Sequence, residues 1–241
     1  MKNNPIALSW SRLSSYLECP YKFKSQYVDK DYPDDSNNPH FARGSRIHKQ
    51  MEDYTLFKKQ SGDVIESAPA MSGEAKAGIP MVDKIFSQYD VVVPERQLAT
   101  DQGWVKCDWF AKPTVVKYRC IIDLMALRDD EVLSIDFKTG KVRPYDATHG
   151  QLHLSSAMIL SVLPNVKQIT NSYVFLDHKQ SLSITLKRED LQAELDYFNT
   201  MHDTVNSDKC FDPTKHKYCS FCLIKNKCPL FVKQEKDEVF G

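Results

Sequence analysis

Two acidic residues directly follow apolar, strand-like segments, where a carboxylate is costly to bury without a partner. Asp123 comes after Cys120-Ile-Ile, and Asp136 comes after Leu133-Ser-Ile. Burying an unpaired carboxylate costs several kcal/mol, and two carboxylates side by side repel each other unless a cation lies between them. Hard oxygen ligands of this kind suit Mg²⁺ or Mn²⁺. The pattern therefore predicts a divalent-cation site that contains Asp123 and Asp136.

A lysine two residues after Asp136 adds a positive charge to this site. Side chains at positions i and i+2 of a strand project from one face, so Lys138 is expected beside Asp136. Its ammonium could orient or help to deprotonate a water molecule, or stabilise charge on a phosphate. Taken alone, Asp-x-Lys is equally typical of a solvated strand end, so the interpretation depends on further ligands.

His48 and Glu95 are the further ligand candidates. His48 and Glu52 are four residues apart in a helical segment and share one helical face. His48 could supply a ring nitrogen as a third metal ligand, and a hydrogen-bonded helix histidine is the alternative. Glu95 stands at the start of a strand-like segment, where a salt bridge to Arg96 is as good an explanation as a role in the site.

The cysteines point to a second site of different chemistry. The chain has seven, at positions 19, 107, 120, 210, 219, 222 and 228. An odd number without an export signal argues against a disulfide framework. Cys219, Cys222 and Cys228 form a C-x2-C-x5-C motif, and sulfur ligands at such spacing favour zinc or an iron–sulfur cluster.

A fourth ligand is needed for a tetrahedral sulfur site, and three residues are candidates. Cys19 precedes Pro20 as Cys228 precedes Pro229, and Cys–Pro recurs among cluster ligands of bacterial ferredoxins. Cys210 is a rival, and His216 is another that would favour zinc. Cys107 and Cys120 lie in strand-like stretches and are expected to be small buried apolar residues.

The composition excludes some classes of function. The 241 residues include 32 Lys plus Arg and 32 Asp plus Glu, which excludes a strongly basic coat but not a local basic groove. No run of about 18 apolar residues is present, so a membrane span is not expected. The N-terminus has no apolar leader, and we therefore expect a cytoplasmic protein.

The elements that must position these residues follow from periodicity. The predicted helices are 9–19, 43–59, 81–89, 146–163 and 188–205, and the predicted strands are 90–99, 104–111, 115–127, 131–137, 172–176 and 181–186. The first four strands read as an antiparallel meander. Helices before and after strands predict one α/β domain whose mixed central sheet is flanked by helices.

In their order along the chain, these motifs resemble the PD-(D/E)XK nuclease superfamily. The similarity is to its RecB-type exonucleases with a four-cysteine iron–sulfur staple, such as the AddB nuclease domain and the CRISPR-adaptation nucleases. The matching segments span residues 9–229: Ser9 to Pro20, Gly44-x3-His48-x3-Glu52, Asp123, Ile135-Asp136-Phe137-Lys138-Thr139-Gly140, Gln151 and the C-terminal cysteine triplet.

The resemblance implies a restriction-endonuclease-like fold and a role for each residue. His48, Asp123, Asp136 and the backbone carbonyl of Phe137 would bind Mg²⁺ or Mn²⁺, and Glu95 is a weaker candidate. Lys138 would be the catalytic lysine, and Gln151 would open a helix motif near the substrate phosphate. One departure is Ser155, which stands where that motif usually has tyrosine.

The resemblance also assigns the cysteines and divides the single domain 1–241. Cys19, Cys219, Cys222 and Cys228 would hold a [4Fe-4S] cluster that joins the chain ends, with zinc as the alternative. Residues 9–30 and 207–232 would form the staple region, and residues 40–190 the catalytic core.

The implied activity is that of a metal-dependent DNA exonuclease in recombination, repair, replication or CRISPR-type processing. The substrate would be single-stranded DNA or a frayed end, with endonuclease activity left open. Besides DNA, the resemblance implies either a homo-oligomer or a recombination or CRISPR-adaptation partner. Basic residues expected along the DNA are Arg43, Arg46, Lys49, Lys141 and Arg143.

Two functions from other classes compete with this one. A nucleic-acid-binding or assembly subunit could use a zinc or iron–sulfur knuckle without catalysis, although it would have no use for buried acids beside a lysine. A zinc-ribbon RNA-binding protein is the other, and its purified form would be colourless rather than brown.

Overall fold

A five-stranded mixed sheet forms the centre of the molecule. The computed structural model describes residues 5–34, 39–61, 68–142 and 150–232. The strands lie in sequence order and are β1 Val91–Asp101, β2 Val116–Arg128, β3 Glu131–Lys138, β4 Gln168–Phe175 and β5 Gln180–Lys187. Neighbours pair antiparallel except β3 and β4, which are parallel. A parallel pair needs a crossover connection, and a helix supplies it here.

Seven helices accompany the sheet in the described part of the chain. They are α1 Trp10–Glu18, α2 Pro20–Phe23, α3 Pro39–Ser61, α4 Gly73–Lys76, α5 Ile79–Gln88, α6 Gly150–Val162 and α7 Leu191–Ser207. A π-helical stretch, Lys24–Asp29, continues α2, and short 3₁₀ turns span Arg188–Asp190, Cys219–Phe221 and Lys225–Lys227. Within the described ranges, no helix combines the length and apolar character that a membrane crossing requires.

Two hydrophobic clusters cover the sheet. One joins α1, α6 and α7 to β2 through residues such as Leu13, Met158 and Phe198. The other joins α3 and α5 to β2 and β3, with Met51 and Ile135 among its members. The helix α6 is buried almost all round, as expected for a crossover helix packed between a sheet and other helices.

The ends of several elements follow from local chemistry. Ser9 caps α1, and its hydroxyl accepts a hydrogen bond from the backbone N–H of Arg12. The β2–β3 hairpin turns at Asp129, which has a φ of 52° and so adopts the left-handed conformation that Asp tolerates. The N-terminal segment is tied down as well, because Leu8 forms a bridge to Tyr118 on β2.

Most of the predicted elements are confirmed within a few residues, including the mixed sheet with flanking helices. The part of the predicted helix 146–163 before Gly150 lies outside the described residues.

The predicted strand 104–111 is wrong. Its residues form turns, with one isolated bridge between Thr100 and Lys106. The carboxylate of Asp101 accepts hydrogen bonds from the backbone N–H groups of Gly103 and Val105, and Asp108 accepts one from Phe110. Such side-chain acceptors stabilise turns in competition with a strand ladder. The predicted meander therefore consists of β1, β2 and β3 only.

Candidate active site

Antiparallel pairing of β2 with β3 brings the two predicted carboxylates together. Leu124 pairs with Ile135, so the preceding Asp123 and the following Asp136 face each other across the strands. The backbone N–H of Phe137 donates a 2.7 Å hydrogen bond to Asp123 Oδ2. The two side chains are only 12% and 15% exposed.

The helix α3 brings His48 to Asp123. His48 Nδ1 lies 3.1 Å from Asp123 Oδ2. Burial works to lower the pKa of His48, but the hydrogen bond and the negative charge of Asp123 outweigh it, so the pKa is raised. His48 and Asp123 are therefore a matched pair, although 75 positions separate them in the chain.

Lys138 and Gln151 complete a hydrogen-bonded group around Asp136. Lys138 Nζ lies 2.5 Å from Asp136 Oδ2 and donates a 3.1 Å hydrogen bond to Gln151 Oε1. Gln151 Nε2 in turn donates to Asp136 Oδ1 at 2.8 Å. We call His48, Asp123, Asp136, Lys138 and Gln151 the strand-end site.

Tyr173 on β4 is a neighbour of this site that the sequence did not reveal. Lys138 Nζ lies 4.6 Å from the centre of its ring, and the Tyr173 hydroxyl is 3.4 Å from Gln151 Oε1. The parallel register pairs Asp136 with Tyr173 directly. No sequence motif marks Tyr173, because only the β3–β4 pairing brings it to Lys138.

Ser155, which stands where the resemblance expects tyrosine, faces the helix and the sheet instead. Its hydroxyl donates to the backbone carbonyl of Gln151 at 2.8 Å and accepts from Asn171 Nδ2 at 2.8 Å. These bonds tie the first turn of α6 to β4, which helps to fix Gln151.

The electrostatics of the site fit a cation ligand. Burial raises the pKa of Asp136, and the charge of Asp123 raises it further, while Lys138 opposes the shift. Burial also raises the pKa of Glu95, with added repulsion from Asp123 and Glu52. The carboxylates therefore repel each other, and a divalent ion would relieve that repulsion.

Glu95 lies at a distortion of β1 opposite Asp123. Pro94 pairs with Leu124 and Arg96 with Ile122, which places Glu95 between these pairs with a φ of 45°. Beside it, Ile122 and Leu124 pack into different core clusters, although alternate strand residues normally share a face. Backbone strain of this kind recurs at functional sites, and here it lies next to the predicted ligands.

The donor set suits Mg²⁺ or Mn²⁺, since it offers carboxylate oxygens and one imidazole. A buried oxygen, Asp136 Oδ2, has only the ion pair with Lys138 and no well-directed hydrogen bond. In the part of the chain that the structure describes, no three His, Cys, Asp or Glu side chains already stand at the spacing of ligands around one ion. The charges instead pair with one another, as His48 does with Asp123.

These residues line an open cleft with a volume of about 1420 Å³. Typical small-molecule pockets occupy roughly 300–1,000 Å³, so the cleft has room for a polymer. Its lining includes the whole strand-end site together with Glu52, Glu95, Phe137, Arg12, Lys112 and Arg119.

The basic residues predicted along DNA are distributed unevenly. Lys49 lines the cleft but pairs with Glu52 and Asp53. Arg43 binds Glu74 and Asp177, and Asp177 also accepts a hydrogen bond from the backbone N–H of Gly140. Arg43 thus fixes the loop after Lys138.

Of the other three predicted cations, two do not line the cleft and one lies outside the described residues. Arg46 and Lys141 are exposed and do not line the cleft. Arg143 lies outside the described residues.

The four cysteines predicted to act together line one smaller cavity. Cys19 caps the C-terminal end of α1. Cys219 begins the first of the two C-terminal 3₁₀ turns, and Cys222 and Cys228 directly follow the first and the second. Burial raises the pKa of the Cys228 thiol, and the neighbouring Cys19, Cys222 and Cys219 raise it further. We call the cavity lined by Cys19, Cys219, Cys222 and Cys228 the cysteine cavity.

The two alternatives to Cys19 as the fourth ligand, His216 and Cys210, differ in whether they line the cysteine cavity. His216 also lines the cysteine cavity, and its backbone N–H donates to Cys219 Sγ at 3.2 Å. Cys210 is exposed and does not line it.

Comparisons with known proteins place the chain in a family. It is similar to the solved structure of SSO0001, with 13% sequence identity and a TM-score of 0.46, over 95% of this chain and 88% of that one. It is also similar to the solved structure of a "Putative exonuclease" from Eubacterium rectale, with 11% sequence identity and a TM-score of 0.48, over 90% of this chain and 86% of that one. No curated protein matches the chain. The family model of the PD-(D/E)XK nuclease superfamily matches residues 7–229, nearly the whole sequence, and the chain therefore belongs to the PD-(D/E)XK nuclease superfamily.

Proposed function

We propose that this protein is a metal-dependent DNA exonuclease that hydrolyses phosphodiester bonds at single-stranded or frayed ends. The observation that carries the proposal is the convergence of His48, Asp123, Asp136 and Lys138 from a helix and two strands. Buried acids beside a lysine in an open cleft suit hydrolysis of a charged polymer better than binding alone.

The residues divide the work between cation binding and substrate activation. The divalent ion would be held by Asp123, Asp136, His48 and the Phe137 carbonyl. Glu95, whose pKa is raised by burial and by the charge of Asp123, would be a further carboxylate ligand. When bound, such an ion neutralises phosphate charge and lowers the pKa of water. Lys138 lies where its ammonium can orient water or stabilise charge on the phosphate.

Gln151 acts as a positioning residue in this proposal. Its amide bridges Asp136 Oδ1 and Lys138 Nζ, so both groups keep their separation while charge changes around them. Tyr173 covers the Lys138 ammonium from the β4 side and limits where it can move.

The reaction itself is an in-line hydrolysis. The oxygen of water forms a bond to phosphorus, and the bond from phosphorus to one sugar oxygen breaks. One water proton ends on that sugar oxygen, and the other passes to solvent or to a basic group in the site. The products are one phosphate monoester end and one hydroxyl end.

Digestion of end-labelled DNA tests the proposal. Wild-type protein with Mg²⁺ or Mn²⁺ should degrade linear single-stranded DNA from its ends and leave circular DNA uncut. Lys138→Ala should lower the rate by about 10²- to 10⁴-fold, the range typical of a lost acid–base group. Lys138→Ala should stay folded, because Lys138 lies outside the core clusters, but its unfolding temperature should fall because buried Asp136 loses its ion-pair partner.

A matched lysine variant controls for the loss of charge. Lys187 is exposed on β5 and pairs only loosely with Glu189, so Lys187→Ala should digest DNA at the wild-type rate. Full activity in Lys138→Ala would overturn the assignment. Tight DNA binding without digestion by the wild type would favour the non-catalytic binding subunit instead.

We further propose that the cysteine cavity holds a [4Fe-4S] cluster, with zinc as the alternative metal. Four cysteines line one cavity, and burial together with the three neighbouring cysteines raises the pKa of Cys228, an arrangement in which a bound metal would stabilise the thiolates. Metal analysis after anaerobic purification separates the alternatives, because a cluster gives brown protein with iron and sulfide whereas zinc gives colourless protein.

A further inference from the structure

An unusually exposed aromatic ring lies in the same cleft as the strand-end site. Phe110 is 85% exposed, the most exposed of the large hydrophobic residues in the described ranges. It lines the cleft together with Ile121 and with Phe41, which is 59% exposed. Isolated exposed apolar residues are ordinary, so the location in the cleft matters more than the exposure.

Hydrogen bonds hold the backbone of the turn that carries Phe110, so the position of the ring is restricted. The backbone N–H of Phe110 donates a 2.7 Å hydrogen bond to Asp108 Oδ1. Arg119 Nη2 donates to the carbonyl of Ala111 at 2.8 Å. The neighbouring Trp109 packs against a small apolar cluster, with the Arg119 guanidinium 5.8 Å from the centre of its ring. One aromatic anchors the turn while the next faces solvent.

A continuous track joins this turn to the predicted catalytic residues. Arg119, Ile121 and Asp123 occupy every second position of β2, and all three line the cleft. At about 3.3 Å per residue, Arg119 lies about 13 Å along the strand from Asp123. A stacked strand rises about 3.4 Å per nucleotide and an unstacked one rises more, so this length spans at most about four nucleotides.

The chemistry along the track matches single-stranded nucleic acid. Lys112 and Arg119 offer positive charge for phosphates, and Arg119 Nε is buried without a hydrogen-bond partner among the described residues. Aromatic rings stack on any base, because every base has a π face, but a paired base inside a duplex does not present one. A braced, exposed ring beside Lys112 and Arg119 is therefore suited to unpaired bases.

On these grounds we propose that Phe110 stacks on an unpaired base within about four nucleotides of the scissile phosphate and selects single-stranded DNA. This inference rests on the proposed function, since it assigns the substrate preference of the same cleft. Phe110 would be a specificity-determining residue that does not touch the reacting atoms.

Binding in a non-cutting background tests the stacking directly. In Lys138→Ala protein, Phe110→Ala should weaken the binding of single-stranded oligonucleotides about tenfold, which corresponds to about 1.4 kcal/mol. Phe110→Trp should restore binding, whereas Phe110→Leu, which is apolar but not aromatic, should not. Tyr197→Ala, on α7 away from the cleft, serves as the aromatic control and should bind normally.

Abasic nucleotides locate the contact. An abasic site placed at successive positions should weaken binding, and at one position the effect of Phe110→Ala should disappear. That position should lie within about four nucleotides of the cleavage point. Equal binding by Phe110→Ala and its parent, or equal loss at every abasic position, would overturn the proposal.

Two further outcomes are distinguished from these. If Phe110→Ala changes the sedimentation of the protein and leaves DNA binding intact, the ring belongs to a protein interface and the proposal fails. If the wild type binds DNA through Phe110 but digests none, the nuclease proposal fails while the stacking stands.

Discussion

The strand-end site and the cysteine cavity differ in how much of the surrounding structure fixes them. Asp123 and Asp136 sit on paired strands whose register is set by backbone hydrogen bonds, and Gln151 holds Asp136 from a buried helix. The cysteine cavity is built from a helix end and two 3₁₀ turns. Its cross-connections include one hydrogen bond from Tyr21 to the Lys227 carbonyl.

The difference indicates that the shape of the cysteine cavity depends more on a bound ligand than the shape of the strand-end site does. The sheet and its two hydrophobic clusters would keep the strand-end residues together without a cation. Short turns bury little apolar surface, so the metal proposed for the cysteine cavity would hold the C-terminal segment against α1. Loss of the cation should therefore cost activity, and loss of the cysteine-bound metal should cost stability.

The largest expected effect is on activity, from Asp136→Asn. Loss of this carboxylate should reduce the cutting rate by about a thousandfold. Stability in EDTA should stay the same or rise at neutral pH, because burial and Asp123 raise the pKa of Asp136 and make its charged form unfavourable in the fold. A drop in stability at neutral pH would contradict this account.

The sign of that effect with pH can be checked by denaturant unfolding. An acid whose folded-state pKa is raised destabilises the fold once it ionises, and the penalty is fully present above the raised pKa. Below about pH 3.8, its ordinary value, Asp136 is protonated in both states. The gain from Asp136→Asn should thus shrink as pH falls.

The next largest effect is on stability, from Cys222→Ala. Linking Cys19 to the C-terminal cysteines closes a loop of about 200 residues, which on the chain-entropy model is worth about 5 kcal/mol. The variant should be colourless, poorly soluble and easily unfolded. Brown, stable Cys222→Ala protein would refute the staple.

Cysteine controls define the ligand set. Cys210→Ser should retain colour and stability, because Cys210 is exposed and lies outside the cavity lining. Cys19→Ser should behave like Cys222→Ala. Loss of colour in Cys210→Ser would identify it as a ligand and would count against the arrangement proposed for Cys19.

The sequence pointed to Asp123, Asp136 and Lys138 because their signals are local. Asp136 and Lys138 are two apart on one strand, and Asp123 lies across a short hairpin from them. Tyr173 could not be found this way, since its contact with Lys138 depends on the parallel pairing of strands that α6 separates.

The failed strand at 104–111 shows a second limit of sequence patterns. Its aromatic and apolar residues favour a strand, but Asp101 and Asp108 accept hydrogen bonds from nearby backbone N–H groups and stabilise turns. Arg43 illustrates a third limit. It was expected on DNA, and the structure gives it two carboxylate partners that come from distant parts of the chain.

The smallest expected effect tests whether the two regions are mechanically joined, through Gly150. Gly150 begins α6 directly before Gln151, and Trp10 begins α1, which ends at Cys19. A Cβ on Gly150 would lie 1.6 Å from Trp10 Cη2, far inside the usual contact distance of about 3.5–4.0 Å. The indole is rigid and must move as a whole, so either Trp10 leaves its rotamer or α1 or α6 shifts.

Gly150→Ala should therefore lower stability by about 1–3 kcal/mol, despite the gain of about 1 kcal/mol that alanine normally brings to a helix. It should also slow cutting by roughly tenfold to a hundredfold, because Gln151 moves with its neighbour. Gly73→Ala is the matched control, since a Cβ there meets no atom within 4 Å. Trp10→Ala combined with Gly150→Ala should recover part of the lost rate by removing the clash. If Gly150→Ala behaves like Gly73→Ala in both unfolding and single-turnover assays, Trp10 does not couple the helix that ends at Cys19 to the helix that carries Gln151.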